Sequence, residues 1–153
     1  MPKDAPLPGS PLPSRCSCTR LRRAARTLTQ VYDGVMAPAG LRITQFALLR
    51  TVARAGSAKI TELAHWLSLD RTALRRNLQP LVERGLVRIL PGSDARVREV
   101  TLTLAGREAI ATAVPYWEKG QQIIAEHLGE KKMASLLAAL DEIDAIALRV
   151  KAR

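Results

Sequence analysis

The sequence is short of aromatic residues, of cysteine and histidine, of acidic residues and of long apolar runs, and each shortage closes a class of function. Two Trp, two Tyr and one Phe in 153 residues are too few for the successive stacking rings on which single-strand binders lay bases. Cys16 and Cys18 are the only cysteines, so a secreted disulfide framework is excluded, and with two histidines no zinc spacing can be found. The thiols are expected to be reduced, and no metal or cofactor is expected. No stretch approaches the roughly 18 apolar residues of a membrane span, and the first 15 residues hold five of the nine prolines in place of an apolar signal core. A cytoplasmic, nucleoid-associated protein with no membrane partner is the expectation. No Ser/His/Asp set, phosphate loop or paired-carboxylate motif offers an enzyme a starting point, so the chain is read as a non-enzyme.

What is present is enough apolar residue for one core, 47% of the chain, and a large excess of cations. Lys and Arg number 24 against 14 Asp and Glu, a formal charge of +10 that favours a polyanionic partner. With so few rings, double-stranded DNA is favoured over RNA. Residues 1–58 carry +7, residues 59–107 carry +4 and residues 108–153 carry −1, so the last third is not the nucleic-acid surface.

Residues 1–15 read as a disordered, proline-rich tail. From about Cys18 to Met36 the residues Leu21, Ala25, Leu28, Tyr32 and Val35 recur at helical spacing, and Pro38 with Gly40 ends that helix. A second helix is expected from a Thr44 cap to about Ala55, and a third from Thr61 to Leu67. After a turn at Ser68 and Leu69, Asp70 is suited to cap a fourth, which Gly85 closes. Leu86–Leu90 and Val97–Leu102 read as two short strands around the turn Pro91-Gly92-Ser93-Asp94. A helix from about Leu104 to Leu128 should be kinked by Pro115. A last helix, Lys131 to about Val150, sets Leu136, Leu140, Ile143 and Ala147 or Leu148 at helical spacing.

Helix, short turn, helix and hairpin is the order of a winged helix-turn-helix, which lays its second helix in the major groove. On the fourth helix Leu74, Leu78 and Leu81 form one stripe. Thr72, Arg75, Arg76 and Gln79 fall about half a turn away, with Arg71 at the margin. A guanidinium fork can donate two bonds to guanine, which makes this face a candidate base reader; a merely solvated charged face is the plainer alternative. Pro80 should bend the helix beyond Gln79.

The run Thr61-Glu62-Leu63-Ala64, then Leu69-Asp70-Arg71-Thr72, then Leu81-Val82-Glu83-Arg84-Gly85-Leu86-Val87-Arg88, then Asp94-Ala95-Arg96, then Leu102-Thr103-Leu104-Ala105-Gly106 closely resembles the MarR family of bacterial transcriptional regulators. The resemblance spans roughly residues 18–150. It implies a mainly α fold with a small β-hairpin wing, and a homodimer held by N- and C-terminal helices. Residues 16–40 and 104–153 would be the dimerisation helices and 41–103 the DNA-binding domain. It also implies that each winged domain reads half of a palindromic operator, with Arg96 in the minor groove and Asp94 bracing the wing; Arg98 joins them as a candidate DNA contact.

Cys18, near a helix start with Arg22 one turn on and Arg15 just before, has surroundings that favour thiolate. Similarity to the organic-hydroperoxide-sensing branch places Cys18 on the sensing cysteine and Tyr32 on one of two tyrosines that bond it. Arg22 occupies the other tyrosine position, and Cys16 is the only available second thiol. Two ordinary thiols are the alternative. His65, Trp66, Tyr116 and Trp117 could line the family's ligand pocket, although aromatic residues at such spacing also read as core. Arg20, Arg22, Arg23 and Arg26 read as a solvated or pocket-rim face. The resulting expectation is a dimeric repressor released by a small aromatic ligand or by cysteine oxidation. A sequence-tolerant architectural DNA-binding protein would suit the charge as well.

Overall fold

The computed structural model describes residues 16–92, 94 and 96–151, with the side chains of 147–151 left aside. The proline-rich tail, Arg15, Ser93, Ala95 and the side chains of Ala147 and Leu148 therefore lie outside the described residues.

Among the described residues, six helices and a three-stranded sheet follow in the order α1 (Ser17–Met36), α2 (Ile43–Ala55), β1 (Ser57–Lys59), α3 (Ile60–Trp66), α4 (Arg71–Glu83), β2 (Val87–Pro91), β3 (Arg98–Leu102), α5 (Leu104–Leu128) and α6 (Glu130–Lys151). A 3-10 turn, Ala37–Ala39, links α1 to α2. The expected elements are all present within a residue or so of their places. β1 is an addition, because three residues with Ala58 alone turned inward are too short to show alternation. It pairs with β3 far along the chain, Ala58 opposite Val100, and β3 also pairs with β2, Val87 opposite Leu102. Both pairings are antiparallel, in the order β1-β3-β2.

Capping departs from expectation at α2. Thr44 lies inside its first turn; Arg42 is the N-cap, and its N–H donates to Gln45 Oε1 at 3.1 Å. The Ile43 N–H donates to Asp33 Oδ1 at 2.8 Å, so a carboxylate ten residues upstream on α1 satisfies one of the free donors of α2. Asp70 caps α4 as expected, its Oδ1 accepting the Ala73 N–H at 2.8 Å. Asp70→Ala should cost about 0.5–2 kcal/mol, read as a lowered urea midpoint with unchanged slope.

Neither internal proline breaks its helix. α4 runs unbroken through Pro80 to Glu83, and α5 runs as one element through Pro115. Arg76 and Ala111, whose carbonyls lose an N–H partner to these prolines, are both exposed, so water can replace the missing donor.

The core lies where α2, α3, α4 and the sheet converge. Phe46, Leu49, Val52, Leu63, Leu74, Leu78, Leu81, Val87 and Val100 are all buried there. α5 enters it through Ala113, with Trp117 half-buried at its edge. α1 packs along α5 at a close approach: a Cβ on Gly120 would lie 2.7 Å from the Tyr32 ring, so only glycine admits that contact. α6 packs on α5, and none of its described side chains belongs to the core.

Candidate nucleic-acid interface

The α4 face divides as its sequence spacing dictates. Leu74, Leu78 and Leu81 are essentially inaccessible, which pins the helix against the core. Arg71, Thr72, Arg75, Arg76 and Gln79 are exposed. Among the described residues the one ion pair is Lys59 with Glu62, at 3.8 Å. The guanidiniums of Arg71, Arg75 and Arg76 consequently face solvent with no carboxylate to neutralise them. Gln79 is engaged: its amide donates to Glu83 Oε1 at 2.8 Å, one turn on. The second N–H of that amide and its oxygen remain for other partners.

The wing is shaped by its own backbone. The Gly92 N–H donates to the Val97 carbonyl and the Val97 N–H to the Asp94 carbonyl, both at 2.8 Å. Asp94 Oδ1 accepts the Arg96 N–H at 2.9 Å, an Asx-type turn that fixes the hairpin end from which Arg96 projects. Arg96 and Arg98 are exposed. In the β2–β3 register Arg98 stands opposite Pro91 and Glu99 opposite Leu90. Glu99 therefore points to the other face, where Oε2 accepts the Ser57 hydroxyl at 2.8 Å. Arg98 forms no ion pair among the described residues.

Two basic residues near this surface escaped the sequence reading. Arg88, exposed on β2 opposite Thr101, alternates with buried Val87, a signal that two-residue periodicity could have given. Arg84, the C-cap of α4, donates from Nη1 to the Gly40 carbonyl at 2.9 Å. No local pattern announces a contact across 44 residues.

At the N-terminal end of α1 the two thiols lie on either side of the helix start. Cys16 is the N-cap and Cys18 lies within the first turn; both are exposed. The Thr19 N–H and hydroxyl, followed by the Cys18 N–H, hold the Cys16 thiol below its ordinary value. Free donors at a helix start favour thiolate. Arg22 is exposed on the next turn. Tyr32 is not a partner of Cys18 within the chain, since 14 residues of helix separate them by about 21 Å. Its hydroxyl instead donates to Gln121 Oε1 on α5, and burial raises its pKa.

The four pocket candidates are not gathered together. Trp66 is 52% exposed and borders an open depression with Thr51, Arg54 and Ala55. His65 is exposed beside it in sequence. Tyr116 and Trp117 pack against the core from α5. The Trp117 ring lies 6.0 Å from that of Phe46, with the Arg50 guanidinium 4.7 Å above it. A larger open depression, about 490 Å³, lies at the α1–α2 junction and is lined by Asp33, Ala37, Gly40, Leu41, Arg42 and Gln45. None of the four candidates borders it. Among the described residues no cluster of His, Cys, Asp and Glu could hold a metal.

Comparison with known proteins places this geometry. The MarR family model matches residues 41–97, the span from the start of α2 into the wing. The Mycobacterium tuberculosis transcriptional regulator MosR, solved in complex with DNA, is 36% identical over 86% of this chain and 98% of its own, with a TM-score of 0.75. A cysteine-to-serine mutant of MarR from E. coli, complexed with operator DNA, is 24% identical over 82% of this chain and 91% of its own, with a TM-score of 0.75. Bordetella bronchiseptica BpsR, whose structure addresses regulation of DNA binding by 6-hydroxynicotinic acid, is 21% identical over 90% and 99%, with a TM-score of 0.77. No curated protein matches the sequence.

Proposed function

This chain belongs to the MarR family of winged-helix DNA-binding transcriptional regulators, and we propose that it acts as a dimeric repressor that binds a palindromic operator and leaves it when a signal reaches its helical end. It is a regulator and not an enzyme, and among the described residues no helix is long and apolar enough to cross a membrane. The observation that carries the proposal is the unneutralised guanidinium row of α4 beside a wing whose Arg96 is backbone-anchored through Asp94. Phosphate neutralisation supplies affinity, and the fork of Arg75 or Arg76 at a guanine edge supplies sequence preference. Arg71, Thr72 and Gln79 flank that contact, while Arg96 and Arg98 follow the backbone or minor groove.

In this reading residues 41–103 form the DNA-binding module, and the helices of 16–40 and 104–153 bring two copies together. The protein works in the cytoplasm, on the nucleoid. Selection of duplexes from a random pool tests the assignment: it should return a two-fold symmetric consensus. A pool with no enriched sequence would favour the sequence-tolerant architectural protein.

Oxidation of the paired thiols is the first signal to test, and a small aromatic acid is the second. The Cys16 thiolate attacks a peroxide O–O bond, taking one oxygen as sulfenic acid while the other leaves as alcohol or water. Condensation with the Cys18 thiol then releases water and forms a disulfide. Two residues apart on a helix the side chains diverge, so this bond requires the first turn of α1 to unwind. The alkylation rate of Cys16 should reach half-maximum below the ordinary thiol pKa of about 8.5, followed by mass spectrometry of the labelled peptide. Equal rates at Cys16 and Cys18 across pH would remove the thiolate argument. Operator release by an aromatic acid from a Cys16→Ser, Cys18→Ser protein would assign sensing to a pocket instead.

A further inference from the structure

The C-terminal end of α4 is held from two sides by the helices that lead away from the DNA-binding module. On one side, Arg84 Nη1 donates to the carbonyl of Gly40 at 2.9 Å. Gly40 follows the 3-10 turn that ends α1, and its φ of +67° is a left-handed conformation that glycine adopts without strain. The same junction is tied to α1 by the Asp33 bond to the Ile43 N–H. On the other side, the Thr103 hydroxyl donates to the Gly85 carbonyl at 2.7 Å, and the Thr103 N–H donates to the Leu86 carbonyl at 3.2 Å. Thr103 is at once the N-cap of α5, its Oγ1 accepting the Gly106 N–H at 3.0 Å. Gly106 is buried with no room for a side chain, since a Cβ there would collide with the Leu86 carbonyl.

From these contacts we infer that Arg84 and Thr103 are positioning residues: they form a two-sided clamp that fixes the tilt of α4 on the α1–α5 layer, and thereby sets the half-site spacing the protein accepts. The inference rests on the dimeric reading above. Arg75 and Arg76 lie eight or nine residues from Arg84, about 12–14 Å along the helix axis. A tilt of about 10° at the clamped end would swing them by about 2 Å, a large part of the 3.4 Å between successive bases. In a two-fold dimer both halves move, so the error doubles across the operator. α4 is anchored laterally by its leucines, but burial is non-directional and tolerates small tilts. Hydrogen bonds at a defined carbonyl do not.

The test uses the full-length protein and its selected operator, with duplexes in which the half-sites are moved by −1, +1 or +2 base pairs. Affinities are measured by fluorescence anisotropy. Wild type should bind best at the selected spacing and lose about tenfold or more at each altered one, since both helices must dock together. Arg84→Met should flatten this profile, losing about tenfold at the native spacing and little at a neighbouring one, with its melting temperature nearly unchanged. Arg84→Lys retains a donor for Gly40 and should restore the optimum. Thr103→Val should flatten the profile as well, and Thr103→Ser, which keeps the hydroxyl, should not. An Arg84→Met protein that weakens equally at every spacing, with a salt slope reduced by about one, would make Arg84 a phosphate contact and overturn the clamp. An unchanged profile in both Arg84→Met and Thr103→Val would also overturn it. A wild type indifferent to spacing would instead overturn the dimeric operator reading on which the clamp depends.

Discussion

Leu140→Asp is expected to turn the protein into a monomer at micromolar concentration and to remove operator binding with it. α6 carries a row of apolar side chains that its own chain leaves uncovered: Leu137 is 54% exposed, Leu140 36%, Ile143 41% and Ile146 53%. Leu136, which the sequence pattern placed in this row, is partly covered within the chain. Each fully buried leucine or isoleucine is worth about 1.5–3 kcal/mol, and a two-fold contact counts every residue twice. An aspartate at the centre reverses the sign, because two carboxylates would have to be desolvated close together. Sedimentation should show one species at the monomer mass. A Leu140→Asp protein that remains dimeric and binds operator normally would show that α6 is not the interface.

Arg75→Ala and Arg76→Ala carry the second large effect. Whichever side chain reads a guanine should cost about 1–3 kcal/mol on the selected operator, roughly 5- to 150-fold in Kd, with preference relaxed at one base pair. An arginine that contacts phosphate should weaken all sequences alike. The structure gives Arg75 and Arg76 equal freedom: both are exposed, neither is paired, and both follow the cap that Asp70 provides. Equal losses on operator and random duplex in both variants would eliminate base readout by this helix.

The element order was legible because each helix of the DNA-binding module writes its inward face at three- and four-residue steps, and Asp70, Gly56 and Gly85 punctuate it. The division of α4 into leucines and arginines followed from the same geometry. What could not be read depended on distance along the chain. β1 exists because β3 offers it a partner far along the chain. The start of α2 is satisfied by Asp33, a residue of the preceding helix. Tyr32 turned to Gln121, 89 positions away, and so could not serve Cys18 in its own chain. Helical spacing likewise could not show that Trp117 meets Phe46 and Arg50 while Trp66 stays outside. The start of α1 fell one residue earlier than the spacing gave, which makes Cys16 the N-cap and sets Cys18 in the first turn.

Hydroxyl-radical footprinting of the full-length protein on its selected duplex tests the central claim most directly. Two copies of α4 docked in successive major grooves should leave two protected patches related by a two-fold axis and about one helical turn apart, with flanking protection where the wings lie. A single isolated patch would contradict the paired reading, and uniform protection spreading along the duplex as protein is added would contradict operator recognition altogether.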